Sequence, residues 1–367
     1  MKTHYFDNAA TTRVKDEVLK AALPYLTENY GNPSSSHKMG FVTKNAIVHA
    51  REQCAKAINA DPEQIIFTSG ATESNNIVYN QFDEVIQSAF EHPSMGGTPV
   101  NDLEDFLRYA GSFKSKFRFW LASCMMVNNE IGTIFPVQKY ADLAHKSGMY
   151  FHTDATQAFG HMRIDVKNIG CDFLSLSAHK FGGFKGVGLL YIKEPDQFAD
   201  KERYFYNIGG GQEKGFRSGT ENVAGIVSMG AAMELCNHKP VVAEHCYRLK
   251  RKLLEELNER CPVEFIENRL AGYKHVNNIC NISFKEINAE GLSILLDTAG
   301  FEVSTGSACH SGSSEPSAVL EAIGTPKEYL NWGSIRVSFS EENTLEEVGL
   351  LAEQICRIVT ALQITHN

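Results

Sequence analysis

No stretch of the 367 residues is an uninterrupted apolar run of membrane-spanning length, so no membrane partner is expected. The first residues, Met1-Lys2-Thr3-His4-Tyr5-Phe6-Asp7, lack the apolar core of a signal peptide, and the expected location is the cytoplasm. No dense Lys/Arg stripe is present and the net charge is -9, which argues against nucleic acid as a direct ligand. The local basic cluster at 248–252 reads as a solvated helix face. The nine cysteines include no Cys-x-x-Cys pair, which excludes the usual local metal-knuckle spacing, and no metal is expected. Their odd number suits a reducing compartment better than a disulfide framework. Internal repeats, low-complexity tracts and long linkers are also missing.

The chain does contain regular alternation. From about Pro62 to Tyr191, short apolar runs recur at 64–67, 84–90, 117–127, 149–153, 172–177 and 187–192, separated by amphipathic stretches. This predicts an α/β domain, a sheet with helices on both faces. Residues 223–237, rich in Ala and Met, predict a long buried helix, and 244–260 a helix leading into a second unit. That unit has strand-like runs at 278–284 and 334–339, with helical patterns at 289–300, 316–323 and 344–360. Thr344 precedes Glu347 at capping-box spacing. The expected division is a large domain over 13–245 and a smaller α+β domain from 1–12 with 246–367.

Chemistry concentrates where predicted strands end. Ser175-Leu176-Ser177-Ala178-His179-Lys180 precedes a glycine-rich segment. Taken alone Lys180 reads as an ordinary surface lysine, but a buried amine of lowered pKa condenses with an aldehyde. Asp154 ends another strand and suits a pyridinium nitrogen; aldehyde carrier plus pyridinium partner is the pairing that pyridoxal phosphate requires. Phe67-Thr68-Ser69-Gly70-Ala71-Thr72 is a strand end, a turn and a helix start, a place for an anion, with Ser177 and His179 as further donors. His92 offers a flat imidazole to stack on a ring, or is a packed interior histidine. Asn128 and Gln157 suit a phenolic oxygen. Arg336, in an otherwise apolar strand, suits an α-carboxylate or a structural ion pair. Cys309 lies in a Gly/Ser run, 304–314, whose composition predicts a mobile loop.

In order along the chain, these segments resemble the NifS/IscS-like cysteine desulfurases among the fold-type-I pyridoxal-phosphate enzymes of the class V aminotransferase family. The resemblance rests on Tyr5-Phe6-Asp7-Asn8-Ala9-Ala10-Thr11-Thr12, Tyr30-Gly31-Asn32-Pro33, Thr68-Ser69-Gly70-Ala71-Thr72-Glu73-Ser74, Glu91-His92-Pro93 and 127–132. It continues through His152-Thr153-Asp154-Ala155-Thr156-Gln157, 177–180, 209–220 and Gly306-Ser307-Ala308-Cys309. It implies a mixed, mostly parallel sheet and a twofold homodimer. Lys180 would carry pyridoxal 5'-phosphate as a Schiff base, His92 stack on its ring, Asp154 pair with its nitrogen, and Gln157 and Asn128 bind at its ring oxygen. Ala71, Thr72, Ser177 and His179 would hold the phosphate, with Thr220 reaching in from a partner subunit. Arg336, with Asn128, would take the substrate carboxylate, and Cys309 would accept the sulfur.

The implied activity is removal of sulfur from L-cysteine, giving L-alanine and a persulfide on Cys309. That persulfide would pass to an acceptor such as an iron–sulfur scaffold, or to tRNA thiolation. A selenocysteine lyase or cysteine-sulfinate-acting relative is the near alternative; a catalytically silent sulfur-carrier or scaffold subunit is the alternative of another class. Two departures stand out. Phe184 replaces the proline expected after Gly182-Gly183, and the span from His92 to Val127 is short. With 95–99 read as a turn and 101–110 as a helix, the sheet is expected to lack an edge strand, leaving the pocket mouth beside His92 more open.

Overall fold

The computed structural model describes residues 3–110, 119–198, 207–237, 242–305 and 316–366. The chain forms two compact units. One comprises Thr12–Met126 and Phe135–Lys239; the other comprises Met1–Thr11, Val127–Ile134 and Pro240–Asn367. Residues 127–134 thus group with the two termini.

The unit beginning at Thr12 is built on a seven-stranded sheet. Its spatial order is Ile65–Thr68, Gly188–Ile192, Phe173–Ser177, Tyr150–Asp154, Trp120–Ser123, Glu84–Ser88 and Thr98–Val100. Gly188–Ile192 runs antiparallel to both neighbours and every other pairing is parallel. Phe173–Ser177 and Gly188–Ile192 are buried at every position, which is why they appear in the sequence as continuous apolar runs rather than alternations. Helices Ala71–Tyr79, Leu103–Ala110 and Val137–Lys146 separate the parallel strands in sequence. The long helices Lys38–Ile58 and Val223–Asn237 approach closely at a small residue: a Cβ on Gly230 would stand 2.8 Å from the Ala50 Cα.

The expected loss of an edge strand is corrected here. Residues Thr98–Val100, of which Thr98 and Pro99 are expected in the turn 95–99, pair in parallel with Ile86–Ser88 and occupy the edge. Pro99 is tolerated there because an edge strand need not donate on its outer side. The shortened span keeps a three-residue strand and one helix, Leu103–Ala110, before the chain leaves the described residues at 111–118.

The other unit has a four-stranded antiparallel sheet, Phe265–Glu267, Ile279–Phe284, Ile335–Ser338 and Ser304–Thr305. Helices Val242–Arg260, Ala289–Thr298 and Leu345–His366 contribute Leu249, Leu253, Leu257, Leu296, Leu351 and Ile355 to one core with the strand residues Ile282 and Val337. Phe6 is fully buried in that core, and His4–Tyr5 pairs with Phe301–Glu302. Two helix starts are capped, the second by the capping box whose spacing the sequence shows. Ser317 accepts from the Leu320 N–H, and Thr344 and Glu347 exchange hydrogen bonds. No helix among the described residues is long and apolar enough to cross a membrane.

Candidate active site

The site is assembled at the carboxyl ends of the parallel strands, where an open α/β sheet leaves a crevice for ligands. Ile65–Thr68 ends at Ser69-Gly70, and helix Ala71–Tyr79 begins at once. Gly188 of the reversed strand lies directly behind this turn: a Cβ there would come within 2.5 Å of the Gly70 Cα. On its other side Gly70 faces Ser177, whose Oγ would be 3.5 Å from a Cβ at Gly70. A helix N-terminus and a serine hydroxyl thus meet across glycine. The helix start is pinned by Ser74, whose Oγ lies 2.8 Å from Thr68 Oγ1 and donates to the Leu189 carbonyl at 3.2 Å. Glu73 turns back to accept from the Ser69 N–H.

Lys180 closes the short helical turn Ala178–Lys180 that follows Phe173–Ser177. Thr12 holds this turn from both sides of the lysine. Its hydroxyl donates to the His179 carbonyl at 2.9 Å and accepts from the Gly182 N–H at 2.8 Å. Burial, with Lys180 and Lys185 nearby, pushes the His179 imidazole down to about 4, so it meets an anion as a neutral donor. Ala71 and His179 are half-buried and Thr72 is exposed.

Asp154 ends Tyr150–Asp154 and is almost wholly buried. Its Oδ2 accepts from Asn75 Nδ2 and its Oδ1 from the Thr156 N–H, both at 2.9 Å. Both of these donors are neutral. Asn75 Nδ2 also donates to Ser94 Oγ at 2.9 Å, and Ser94 Oγ lies 2.8 Å from His92 Nδ1. That same Nδ1 accepts from the Ser94 N–H at 3.1 Å, which places the proton of a neutral ring on Nε2. Asp154 and His92, read separately from the sequence, are therefore joined through Asn75 and Ser94. Gln157 is buried one turn beyond Asp154.

The glycine-rich segment carrying Thr220 is anchored to the sheet. Glu213 makes a double contact with Arg51, at 2.5 and 2.9 Å, and accepts from the Phe67 N–H at 2.8 Å. Arg51 lies over the Phe67 ring at 4.7 Å. Glu213 and Lys214 both have positive φ, 48° and 57°, a conformation these contacts hold in place. Thr220 itself is exposed.

In the unit of the termini, Arg336 is 3 % exposed and donates to Asp7 Oδ1 and the Asn129 carbonyl, both at 2.9 Å. The ion-pair alternative for Arg336 is thus realised with Asp7. Its Nε–H is nevertheless buried with no hydrogen-bond partner among the described residues, a donor still to be matched by an acceptor. Asn128 is fully buried, and its Oδ1 accepts from the N–H groups of Glu130 and Ile131 at 2.9 Å. That carbonyl shapes its own turn. Cys309 lies outside the described residues.

Sequence reasoning passed over four residues that hold the named ones: Thr12, Asn75, Ser94 and Asp7. For Asn75 a signal existed, since it stands one helical turn after Ala71 on the same face. For the others the pairing is long-range and no local spacing reveals it.

The donor set suits pyridoxal 5'-phosphate. A helix N-terminus with Ser177 and His179 fits a phosphate, a lysine stands beside it, and a buried carboxylate held by neutral donors fits a ring nitrogen. Comparisons with known proteins agree. The Aminotransferase class-V family matches residues 4–107 and 116–351. The cysteine desulfurase IscS of Methanosarcina thermophila is 40% identical over 390 residues, covering 99% of this chain and 93% of the relative. That of Dictyoglomus turgidum is 39% identical over 394 residues, covering 98% and 95%. Among solved structures, a NifS-like protein superposes with a TM-score of 0.84 at 32% identity, covering 98% of this chain and all of its own. The NifS-like protein from Rickettsia africae gives 0.86 at 29% identity, covering 98% and 99%.

Proposed function

The chain belongs to the Aminotransferase class-V family, and on that premise we propose that it is a pyridoxal-phosphate-dependent cysteine desulfurase working through the residues described above. The fold is the α/β fold of the fold-type-I class, and enzymes of this family depend on that cofactor. The observation that carries the assignment of roles is the arrangement around Asp154: a buried carboxylate whose partners are all neutral, at the ends of the strands that also carry Ser177 and Lys180.

When bound, the cofactor supplies an electron sink for the α-carbon of an amino acid. Lys180 would hold it covalently, and its Nζ would take the α-proton of the substrate. Asp154 would pair with its ring nitrogen. His92, with its proton on Nε2, covers the ring face, and Gln157 and Asn128 address the ring oxygen. Ala71, Thr72, Ser177 and His179 hold the phosphate, and Thr220 completes it across a homodimer. Arg336 takes the carboxylate of L-cysteine through its remaining Nε–H. The Cys309 thiolate would attack the substrate sulfur; as the S–S bond forms the Cβ–S bond breaks, its electron pair stays with the carbon skeleton, and protonation there gives L-alanine and leaves a persulfide on Cys309. An acceptor protein, in iron–sulfur cluster assembly or tRNA thiolation, then receives the sulfur. In this reading 13–245 bind the cofactor, 1–12 and 246–367 carry the Cys309 loop, and the protein works in the cytoplasm.

Incubation of the cofactor-loaded enzyme with L-cysteine and a reductant should release sulfide and alanine in equal amounts. Lys180→Ala should bind pyridoxal phosphate without the absorbance of its covalent linkage and without turnover. Alanine without sulfide, or persulfide on Cys124 or Cys171 rather than Cys309, would overturn the assignment.

A further inference from the structure

Beneath the site runs a row of polar side chains that the reaction does not use. Glu91 immediately precedes His92. Its Oε1 accepts from the Met125 N–H at 2.5 Å and from the Ser88 hydroxyl at 2.8 Å. Its Oε2 faces Ser123 Oγ at 3.4 Å. Ser123 Oγ lies 2.9 Å from His152 Nδ1, and His152 Nε2 lies 3.0 Å from Ser175 Oγ. Ser123, His152 and Ser175 are each fully buried. The row crosses three adjacent strands, Trp120–Ser123, Tyr150–Asp154 and Phe173–Ser177, and passes two residues short of Asp154 on the middle one.

We propose that Glu91, Ser123, His152 and Ser175 form a proton-coupled chain in which the ionisation of Glu91 sets the tautomer of His152, making Glu91 a positioning residue for His92 and Asp154. The inference rests on the reading of those two residues as cofactor ligands.

The argument is a count of donors and acceptors. Oε1 already accepts two hydrogen bonds, so a proton on Glu91 sits on Oε2. That carboxylic O–H donates to Ser123 Oγ, the Ser123 hydroxyl then donates to His152 Nδ1, and His152 Nε2–H donates to Ser175 Oγ. Removal of the proton reverses every bond. Ser123 donates to the Glu91 carboxylate, His152 Nδ1–H donates to Ser123, and Ser175 donates to Nε2. The imidazole is neutral throughout and moves its proton from one nitrogen to the other.

The titratable groups facing Glu91 are Asp154 and His152 on Tyr150–Asp154, Cys124 after Trp120–Ser123, and the adjoining His92. Burial, with the Asp154 charge adding to it, pushes the Glu91 carboxyl up to about 7. Burial likewise holds His152 down to about 4 and Cys124 well above its ordinary value, so neither competes for the proton near neutrality. With Glu91 protonated, Asp154 faces no second negative charge from it. Either way, the bonds to Met125 and Ser88 keep the turn carrying His92 in place.

The test uses the full-length, cofactor-loaded enzyme without L-cysteine. Infrared difference spectroscopy between about pH 5.5 and about pH 8.5 should show a carboxylic-acid band that titrates near neutrality. Nitrogen-15 spectra should show His152 changing tautomer with the same midpoint. Glu91→Gln donates from its amide to Ser123 as the protonated acid does. It should therefore lose the band and hold His152 with its proton on Nε2 across the range. Ser123→Ala should keep the band and lose the tautomer change. The proposal is overturned if no such band titrates, if His152 keeps one tautomer through the titration, or if Ser123→Ala leaves the coupling intact. A coupled titration in an enzyme that yields no sulfide would overturn the desulfurase reading and leave this one standing; sulfide release without coupling would do the reverse.

Discussion

Asp154 and Arg336 are both charged residues embedded in strands of otherwise buried residues, and the molecule treats them differently. Asp154 is surrounded by neutral donors, Asn75 and the Thr156 N–H. Arg336 is met by the carboxylate of Asp7 and by a carbonyl oxygen. Removing an ion from water costs several kcal/mol unless an opposite charge or enough hydrogen bonds offset it. Arg336 receives its counter-charge from the chain. Asp154 receives only dipoles, from Asn75 and the Thr156 N–H. Substitution at Asp154 should therefore report on ligand binding, and substitution at Arg336 on both ligand and fold.

The largest effect that would separate the two belongs to Asp154→Asn. The variant should lose turnover of L-cysteine by about 10²–10³-fold, the scale of removing one electrostatic contact to a reacting group. Its urea midpoint without cofactor should move little, because Asn75 can rotate and offer to the new amide its Oδ1, which has no partner among the described residues. A large fall in stability would mean that Asp154 is a structural charge after all. Arg336→Ala should, by contrast, lower stability by about 3 kcal/mol and raise KM, since it leaves Asp7 without its partner. Asp7→Asn combined with Arg336→Met should recover much of the stability and none of the KM. Equal denaturation curves for Arg336→Ala and the wild type would erase the distinction.

A third test concerns the layer below Asp154. The His152 imidazole is held down to about 4 by burial, against about 6.5 in the unfolded chain. Between these values the unfolded state binds the extra proton. The stability contribution of the neutral ring is therefore complete above about pH 6.5 and is lost as the pH falls towards 4. His152→Gln should flatten the acid limb of the stability curve by about one proton; an unchanged slope would show that the ring is protonated in the fold. The smallest effect is remote from both charges: Thr344→Ala should cost about 1 kcal/mol through loss of the reciprocal cap with Glu347.

Much of this was legible because the sheet is buried on both faces. Residues 172–177 and 187–192 stand out as apolar runs, and the polar residues that interrupt them mark strand ends. The edge was not legible. Thr98-Pro99-Val100 has the composition of a turn, and only pairing with Ile86–Ser88 makes it a strand. The reactive groups were readable because lysine, aspartate and histidine are conspicuous beside glycine and serine. Their supports were not. Thr12 reaches His179 and Gly182 across most of the unit's length in sequence, and Asp7 reaches Arg336 from the other end of the chain. A threonine or an aspartate carries no local sign of such a partner.

The approach of Gly188 to Gly70 has a consequence for how this sequence can vary. The width of the turn at Gly70 is set by two backbones meeting, with no side chain that could be trimmed to make room. A saturation library at position 188 should therefore be depleted almost as completely as one at Lys180, although Gly188 carries no reactive atom. Even alanine would place a methyl carbon 2.5 Å from the Gly70 Cα. Tolerance to substitution and chemical importance are separate properties here, and a map of either would misplace the other.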